Sequence, residues 1–272
     1  MKVFRKIFGN TRIYKWLESI YNYLKRVMIF HQLFDKKDAK RLLHKHNDDY
    51  LEYIEVNPKD WEHPIKIRNN TTDKRVIEYV LYHKYHLPPD LAEIPDHPII
   101  LDLGSNIGLT IAQLKREFPN ATVYGFEMDE ENFEIAGFNT KQLNQVFIFN
   151  NAVWYEDTLV SYDKSDNFDA FKIADVEKYG KKSEVMAYSL NTIIKDNQIE
   201  KIDYLKMDIE GAELSIFNKG DLEWLDIVYS FNIEFHFISK KGLNQYVELL
   251  KSKGFHAWID TKHYACILGV RI

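Results

Sequence analysis

The sequence predicts an α/β fold, with a mostly parallel sheet covered by helices, an antiparallel hairpin strand at its C-terminal end, and a helical N-terminal extension. Three observations lead there. From Ile99 onward, short apolar runs alternate with segments of helical period, which implies right-handed parallel crossovers. The first run, Ile99-Ile-Leu-Asp-Leu103, breaks into a turn carrying Gly104 and Gly108 before a helical pattern starts. The last two strand patterns are joined by a tight Asp260-Thr-Lys-His263 turn, the mark of a hairpin.

Size and charge narrow the possibilities. With 272 residues, 45% of them hydrophobic, the chain can hold one large domain or one ordinary domain with an extension. A net charge of -5 gives no drive toward nucleic acid, and no such partner is expected. The charge is uneven: residues 1-30 carry seven cations (Lys2, Arg5, Lys6, Arg12, Lys15, Lys25, Arg26) against Glu18 alone, so the remainder is strongly acidic. One cysteine, Cys266, excludes an internal disulfide and a cysteine-cluster metal site, and its apolar strand setting reads as an inert thiol. No run approaches the ~18 apolar residues of a membrane span, and charges interrupt the N-terminus too often for a secretory signal. A cytoplasmic location follows as the expectation, with membrane association left open.

Taken in order, Ile13 to Met28 reads as an amphipathic helix, with Trp16, Leu17, Ile20, Leu24 and Val27 on its apolar stripe and Lys15, Lys25 and Arg26 between them. The helix suits a cap or a homodimer contact, or a basic membrane-surface segment. Asp35 to His46 reads as a second short helix, with His44 and His46 on different faces and no metal pair between them. Pro58 and Pro64 bracket an irregular link; Ile65-Lys-Ile-Arg68 alternates like a strand, and Thr72 to Tyr85 is helical. Four prolines make residues 87-98 a connector. Strand 99-103, helix 108-118, strand 121-126, helix 130-143 and strand 146-150 follow. Residues 152-187 are less periodic and suggest a hairpin or an active-site cover. Helix 190-197, strand 203-207, helix 211-219, strand 226-233, helix 243-253 and strands 255-260 and 264-271 complete the chain. Residues 1-63 are the extension and residues 64-272 the main domain.

The first strand delivers a ligand-binding turn. Its spacing is Gly-x-x-x-Gly, not the Gly-x-Gly-x-x-Gly that cradles a dinucleotide pyrophosphate. Glycine at Gly104 and Gly108 permits positive φ and close approach of a bound molecule. The second strand ends at Glu127, 23 residues after Gly104, where a carboxylate can accept hydrogen bonds from two ribose hydroxyls. Asp102 is expected to bond loop N–H groups or to attract a cationic ligand group. An acidic site without a phosphate cradle suits S-adenosylmethionine better than NAD.

A second polar cluster lies farther along. Leu205-Lys-Met-Asp208-Ile-Glu210-Gly-Ala-Glu213 places carboxylates at the end of the fourth parallel strand, in the crevice that open α/β sheets use for ligands. Glu213 reads as complementing the dipole of the following helix. On the fifth strand Asn232, Glu234 and His236 share one face, and a neutral histidine beside a glutamate is a candidate general base. His236 is the first choice of base and Asp208 the second. Asp208, Glu234 and His236 could ligate a divalent metal, but no spacing demands one, and none is expected.

Residues 64-238 resemble the FkbM-type family of S-adenosylmethionine-dependent methyltransferases. The resemblance rests on Ile67-Arg-Asn-Asn-Thr-Thr-Asp73, Leu101-Asp-Leu-Gly-Ser-Asn-Ile-Gly-Leu-Thr110, Gly125-Phe-Glu127, Asn150-Asn-Ala-Val-Trp154, Leu205 through Glu213, and Ile233-Glu-Phe-His236. It implies a Rossmann-like class I methyltransferase fold with a seven-stranded sheet, and O-methylation of hydroxyls on sugars or natural products. It assigns the cofactor to Asp102, Gly104, Asn106, Gly108 and Glu127, with Ser105 and Met128 beside them and Asp208 at the donor-acceptor junction. Leu190-Asn191 stands where many members carry Leu-Asp. The expected enzyme is thus an O-methyltransferase acting on a small hydroxylated acceptor, free or attached to a glycan or lipid. A non-catalytic nucleoside-binding scaffold and an NAD-dependent oxidoreductase are the rival readings.

Overall fold

A computed structural model describes residues 12-44, 53-163, 172-173 and 182-272. The chain divides into two compact units, Met1–Asn70 and Thr71–Ile272.

In the first unit, helix α1 spans Arg12–Leu33, longer than the stripe to Met28 suggests. The extra turn brings Ile29 and Phe30 into the unit's core with Phe34, while Trp16, Tyr21, Tyr23 and Leu24 stay exposed. Helix α2, Lys36–Leu43, starts at Asp35, whose carboxylate accepts the Asp38 N–H at 2.8 Å. It ends at His44, and His46 lies outside the described residues. Strand β1, Tyr53–Val56, was not anticipated; it pairs antiparallel with the expected strand β2, Ile65–Arg68. Ile54, Val56, Ile65 and Ile67 are buried, and Asp38 accepts the Asn57 N–H at 2.8 Å, tying the hairpin to α2.

The second unit opens with α3, Asp73–Ile77, which widens into a π-helical turn over Glu78–His83 and stops at Lys84 with a left-handed φ of 53°. The regular helix expected over 72-85 is thus interrupted, a distortion often found where a helix borders a site. The proline connector holds no helix or strand. Asn232 donates to the Tyr85 carbonyl at 2.7 Å and Tyr204 to the His86 carbonyl at 2.6 Å, so the sheet pins the start of the connector.

The main sheet contains β3 (Ile99–Leu103), β4 (Thr122–Phe126), β5 (Val146–Phe149), β10 (Tyr204–Met207), β11 (Ser230–Glu234), β12 (Phe255–Ile259) and β13 (Cys266–Arg271). Its seven strands run in the order β12-β13-β11-β10-β3-β4-β5. The pairs β11-β10, β10-β3, β3-β4 and β4-β5 are parallel, and β13 is antiparallel to both neighbours. This is the Rossmann-like class I arrangement. Pleating sends Leu101, Leu103, Leu205, Met207, Phe231 and Ile233 to one face. There they meet α6 (Leu190–Asp196), α7 (Ala212–Lys219) and α8 (Lys240–Ser252). Ile100, Val123 and Tyr204 pack on the other face with Ile111 and Leu114 of α4, Leu109–Glu117. Helix α5, Glu130–Thr140, starts at Asp129, whose carboxylate accepts the Asn132 N–H.

Three expectations change in detail. The run 226-233 is a 3-10 turn, Glu223–Ile227, followed by β11. Helix α8 begins earlier than 243, because Ser239 caps it by accepting the Gly242 N–H at 3.2 Å. The stretch 152-187 supplies a second sheet of β6 (Ala152–Val153), β7 (Thr158–Asp163), β8 (Lys172–Ile173) and β9 (Lys182–Tyr188), ordered β6-β9-β7-β8. Residues 164-171 and 174-181 of that stretch lie outside the described residues.

Candidate active site

A cavity of about 400 Å³ opens at the carboxyl ends of the parallel strands, and residues from Arg75 to His263 line it. That volume is in the range of small-molecule sites.

The loop after β3 forms one wall. The Gly104 and Ser105 N–H groups both donate to the Phe126 carbonyl at 2.9 Å, locking the loop to the tip of β4. Asn106 has a positive φ of 47°, and its N–H donates to Glu127 Oε2 at 2.7 Å; the Asp129 N–H donates to Oε1 at 2.9 Å. Glu127 is buried, and desolvation raises its carboxyl to about 7 against the opposing pull of these two N–H bonds. Asn106, Glu127, Met128 and Gly104 all line the cavity.

The remaining residues of the expected cofactor set support this wall from behind. Gly108 and Ser105 do not line the cavity; the Gly108 N–H donates to the Ser105 carbonyl, and Ser105 Oγ donates to the Asp102 carbonyl at 2.9 Å. Gly104 is required by the protein itself: a Cβ there would lie 1.9 Å from the Asp208 carbonyl oxygen. Asp102 departs from expectation. It is fully buried, bonds no loop N–H, does not line the cavity, and faces Lys206 Nζ at 3.2 Å. A cationic ligand group has no access to it, because a protein cation already occupies that position.

Lys206 itself was not singled out from the sequence. It points inward from β10, donates to the Gly104 carbonyl at 2.7 Å and lies 3.9 Å from Asp208 Oδ2. Burial pulls its pKa down, but Asp102 and Asp208 more than offset this and hold the ammonium charged.

The opposite wall comes from the ends of β10 and β11 and from the β12-β13 loop. Glu210 and Gly211 both take positive φ, turning the chain sharply after Asp208. Glu213, fully buried, accepts the Ile209 N–H at 2.9 Å and the Gly211 N–H at 2.8 Å, so it closes this turn as anticipated for a helix-start acid. Its Oε1 also lies 3.2 Å from His236 Nδ1. His236 Nε2 then faces Glu210 Oε2 at 3.5 Å, Glu234 Oε1 at 3.6 Å and Asp208 Oδ1 at 3.7 Å. His263, from the hairpin turn, brings its Nε2 to 3.7 Å from Glu234 Oε1. His86 Nε2 is 4.0 Å from Asp208 Oδ2.

Charge separates these groups. Burial would lower the His236 pKa, but the bond to Glu213 and the charges of Glu213, Asp208 and Glu210 raise it to about 9. His236 is therefore an imidazolium at neutral pH, not the neutral ring expected of a resting base. Burial and the charge of Asp208 push Glu234 up to about 8 despite His236. Asp208 moves the other way: against burial, Lys206 and the surrounding histidines hold its carboxyl below the usual range. Burial and Lys206 lower His86 to about 4. Asp208 is thus the carboxylate kept ionised. Cys266 is buried, with its thiol pushed well up by desolvation, as an inert thiol should be.

Sequence reasoning assigned no role to Lys206, although it lies within the quoted Leu205–Glu213 motif, and passed over His86 and His263. An interior lysine in an otherwise apolar strand was the available signal for the first. The two histidines carried none, since connector and hairpin turn are joined to the site only by folding. Asn232 shares a strand with Glu234, but its amide is used to hold the Tyr85 carbonyl.

Known proteins resemble this chain. Methyltransferase sdnD of Sordaria araneosa is 27% identical over 212 residues, covering 65% of this chain and 80% of that protein. Methyltransferase 1 of Beauveria bassiana is 25% identical over 198 residues, covering 65% and 79%. A crystal structure of an FkbM methyltransferase from Methylobacillus flagellatus aligns with a TM-score of 0.44 at 14% identity, over 94% of this chain; the chain spans 60% of that structure's length. The Methyltransferase FkbM domain matches residues 102-257, more than half of the sequence. The chain therefore belongs to the FkbM methyltransferase family.

Proposed function

We propose that this methyltransferase uses S-adenosylmethionine and methylates a hydroxyl oxygen of a small sugar or natural-product-like acceptor. The observation that carries the reading is one cavity lined by two chemically distinct groups, Gly104, Asn106 and Glu127 in the first and Asp208, Glu234 and His236 in the second. The first group fits a nucleoside. Each Glu127 oxygen accepts one backbone N–H and retains a lone pair for a ribose hydroxyl. Met128, Ala152 and Val153 give an apolar surface beside it, and there is no phosphate cradle of the dinucleotide type. S-adenosylmethionine supplies an activated methyl group on a positively charged sulfur.

The acceptor wall suits a hydroxyl. Asp208, ionised by its cationic neighbours, can take the acceptor's proton as the new oxygen–carbon bond forms and the sulfur–carbon bond breaks. His236 and Lys206 hold that carboxylate in place. Tyr79, Tyr85 and His263 make an aromatic side to this part of the cavity, with Tyr85 and His263 centroids 5.5 Å apart, against which a ring face can rest. Most of the acceleration would come from positioning, because the donor is already activated.

The test is a pair of titrations and one labelling experiment. S-adenosylhomocysteine should bind the wild-type protein, and Glu127→Ala should weaken it by about tenfold or more, the loss of hydrogen bonds to a charged group. NAD should not bind. Incubation with labelled methyl donor and a metabolite extract should label an oxygen of a small molecule. Nucleoside binding without label in any acceptor would favour the scaffold reading, and preference for NAD would remove the methyl-donor assignment.

A further inference from the structure

The acceptor wall holds more ligating atoms than the removal of one proton requires. Glu234 ends β11 opposite Cys266 of β13, and the loop before Cys266 carries His263. Two separate segments therefore bring imidazoles to the same carboxylate oxygen, His236 Nε2 at 3.6 Å and His263 Nε2 at 3.7 Å. Asp208 Oδ1 completes the group, 3.7 Å from His236 Nε2. Donor atoms of Asp208, Glu234 and His236 all lie within 4.8 Å of one another. Donors ~2.1 Å from a cation are about 3.4 Å apart, close to the spacing of the Asp208, Glu234 and His236 atoms, and His263 adjoins this group through Glu234.

Both rings are also fixed from behind. Glu213 anchors His236 through Nδ1 and is itself anchored by two backbone N–H groups, leaving Nε2 directed at the carboxylates. His263 Nδ1 lies 3.0 Å from Cys266 Sγ, leaving its Nε2 directed at Glu234. An imidazole held at one nitrogen by an outer partner, with the other turned toward carboxylates, is the support that metal-binding histidines use. An ion at this position would displace the proton that His236 carries at Nε2.

We propose that Asp208, Glu234, His236 and His263 form a site for a divalent transition cation of the Mn²⁺ or Zn²⁺ class, which would hold the acceptor's hydroxyl oxygen as a fifth ligand. Two nitrogen and two carboxylate donors favour such an ion over Mg²⁺ or Ca²⁺, which prefer oxygen donors alone. The role assigned to the ion rests on the hydroxyl-acceptor reading; the binding itself does not. A hydroxyl oxygen on a cation loses its proton more readily; that proton passes to Asp208 Oδ2, the oxygen not turned toward His236, while the oxygen–carbon bond forms and the sulfur–carbon bond breaks. The spacing along the chain carries no such signal, because the four residues come from three segments that only the sheet order brings together.

The test uses chelator-treated full-length protein with no methyl donor or acceptor present. MnCl₂ and ZnCl₂ are titrated by calorimetry, with the Mn²⁺ also followed by its electron paramagnetic resonance signal. Saturable binding of one ion per chain is expected, and Glu234→Gln and His263→Ala, each checked for a native circular-dichroism spectrum, should weaken it at least about tenfold. No saturable uptake of either ion by the folded wild-type protein, or uptake by both variants equal to that of the wild type, overturns the site. A separate titration with S-adenosylhomocysteine keeps the two readings apart: nucleoside binding without cation binding defeats this inference alone, and cation binding without nucleoside binding defeats the cofactor assignment alone.

Discussion

Lys206 and Asp102 stand opposite one another in the parallel register of β10 and β3, with Nζ 3.2 Å from the carboxylate and both side chains buried. The contact is one of charge, since Nζ directs its short hydrogen bond to the Gly104 carbonyl at 2.7 Å. The pair braces the Gly104–Asn106 loop against the strand that delivers Asp208.

Removing one partner should therefore be worse than removing both. Lys206→Met leaves the Asp102 charge buried and alone, and should destabilise the fold by about 3–5 kcal/mol; the double variant Lys206→Met, Asp102→Leu should recover most of that loss. Urea unfolding measures both. Equal stability of the two variants would show that the charges do not interact as described.

Under the proposed function, nucleoside binding at Glu127 is proton-linked. Its carboxyl is raised to about 7 from the ordinary 4.5, so part of the population is protonated at neutral pH. Sugar hydroxyls donate to the ionised form, and binding of S-adenosylhomocysteine near pH 7 should release a proton. Affinity should climb as pH rises toward 7 and level off above it. Calorimetry in buffers of differing ionisation heat gives the proton count directly, and identical heats in all buffers would contradict the linkage.

The same group affects stability with a definite sign. Between pH 4.5 and 7 the folded chain holds a proton at Glu127 that the unfolded chain has lost. Its contribution is thus complete below 4.5 and disappears as pH rises through 7, about 3 kcal/mol at most. Glu127→Gln should flatten this part of the stability profile measured by denaturant titration.

Asp208 and Glu127 should separate kinetically. Asp208→Asn is expected to lower turnover by about 10²–10⁴, the range of a lost proton acceptor, with S-adenosylhomocysteine affinity changed only a few-fold. Glu127→Ala should show the opposite pattern. A collapse of nucleoside affinity in Asp208→Asn would place that residue on the donor side.

Two glycines give a packing test. Gly104→Ala places a Cβ 1.9 Å from the Asp208 carbonyl at a φ of +82°, and should cost more than about 2 kcal/mol. Gly137 in α5 has nothing within 4 Å of an added Cβ, so Gly137→Ala should stabilise by about 0.5–1 kcal/mol. Thermal melts of the two variants should move in opposite directions.

Helix α1 exposes Trp16, Tyr21, Tyr23 and Leu24 along a stretch that carries Lys15, Lys25 and Arg26. Among the described residues no helix is long and apolar enough to cross a membrane. The pattern suits a packing or dimer face, and equally a surface contact with anionic lipid. For the lipid contact, vesicle binding should weaken with added salt and fall in Trp16→Ala, Leu24→Ala. A concentration-dependent dimer lost in the same variant, with no vesicle binding, would assign the helix to self-association instead.

The alternating pattern after Ile99 was enough to place β3, β4, β5 and β10 within a residue or so of where they lie, and the closing hairpin with them. These elements were legible because burial on one or both faces writes itself into local hydrophobic period. Strand β1 and the π-helical turn at Glu78–His83 were not, since one is a short strand stabilised by its hairpin partner and the other is a backbone distortion without a residue signature. Glu127 and Asp208 could be placed in one crevice because a parallel sheet sets its strand ends side by side.

Chemistry written along the strands could thus be read in advance, whereas chemistry created between segments could not. Asp102 was assigned to loop N–H groups or a cationic ligand because Lys206, more than a hundred residues away, is invisible as its partner until β3 and β10 pair. His236 was taken as neutral because its protonation depends on Asp208, Glu210 and Glu213, two of which meet it only after the turn at Glu210 folds back. Local order along a chain fixes periodicity and strand ends; pKa, ligation and ion pairing depend on distances of a few ångströms between remote residues, and those exist only once the sheet has assembled.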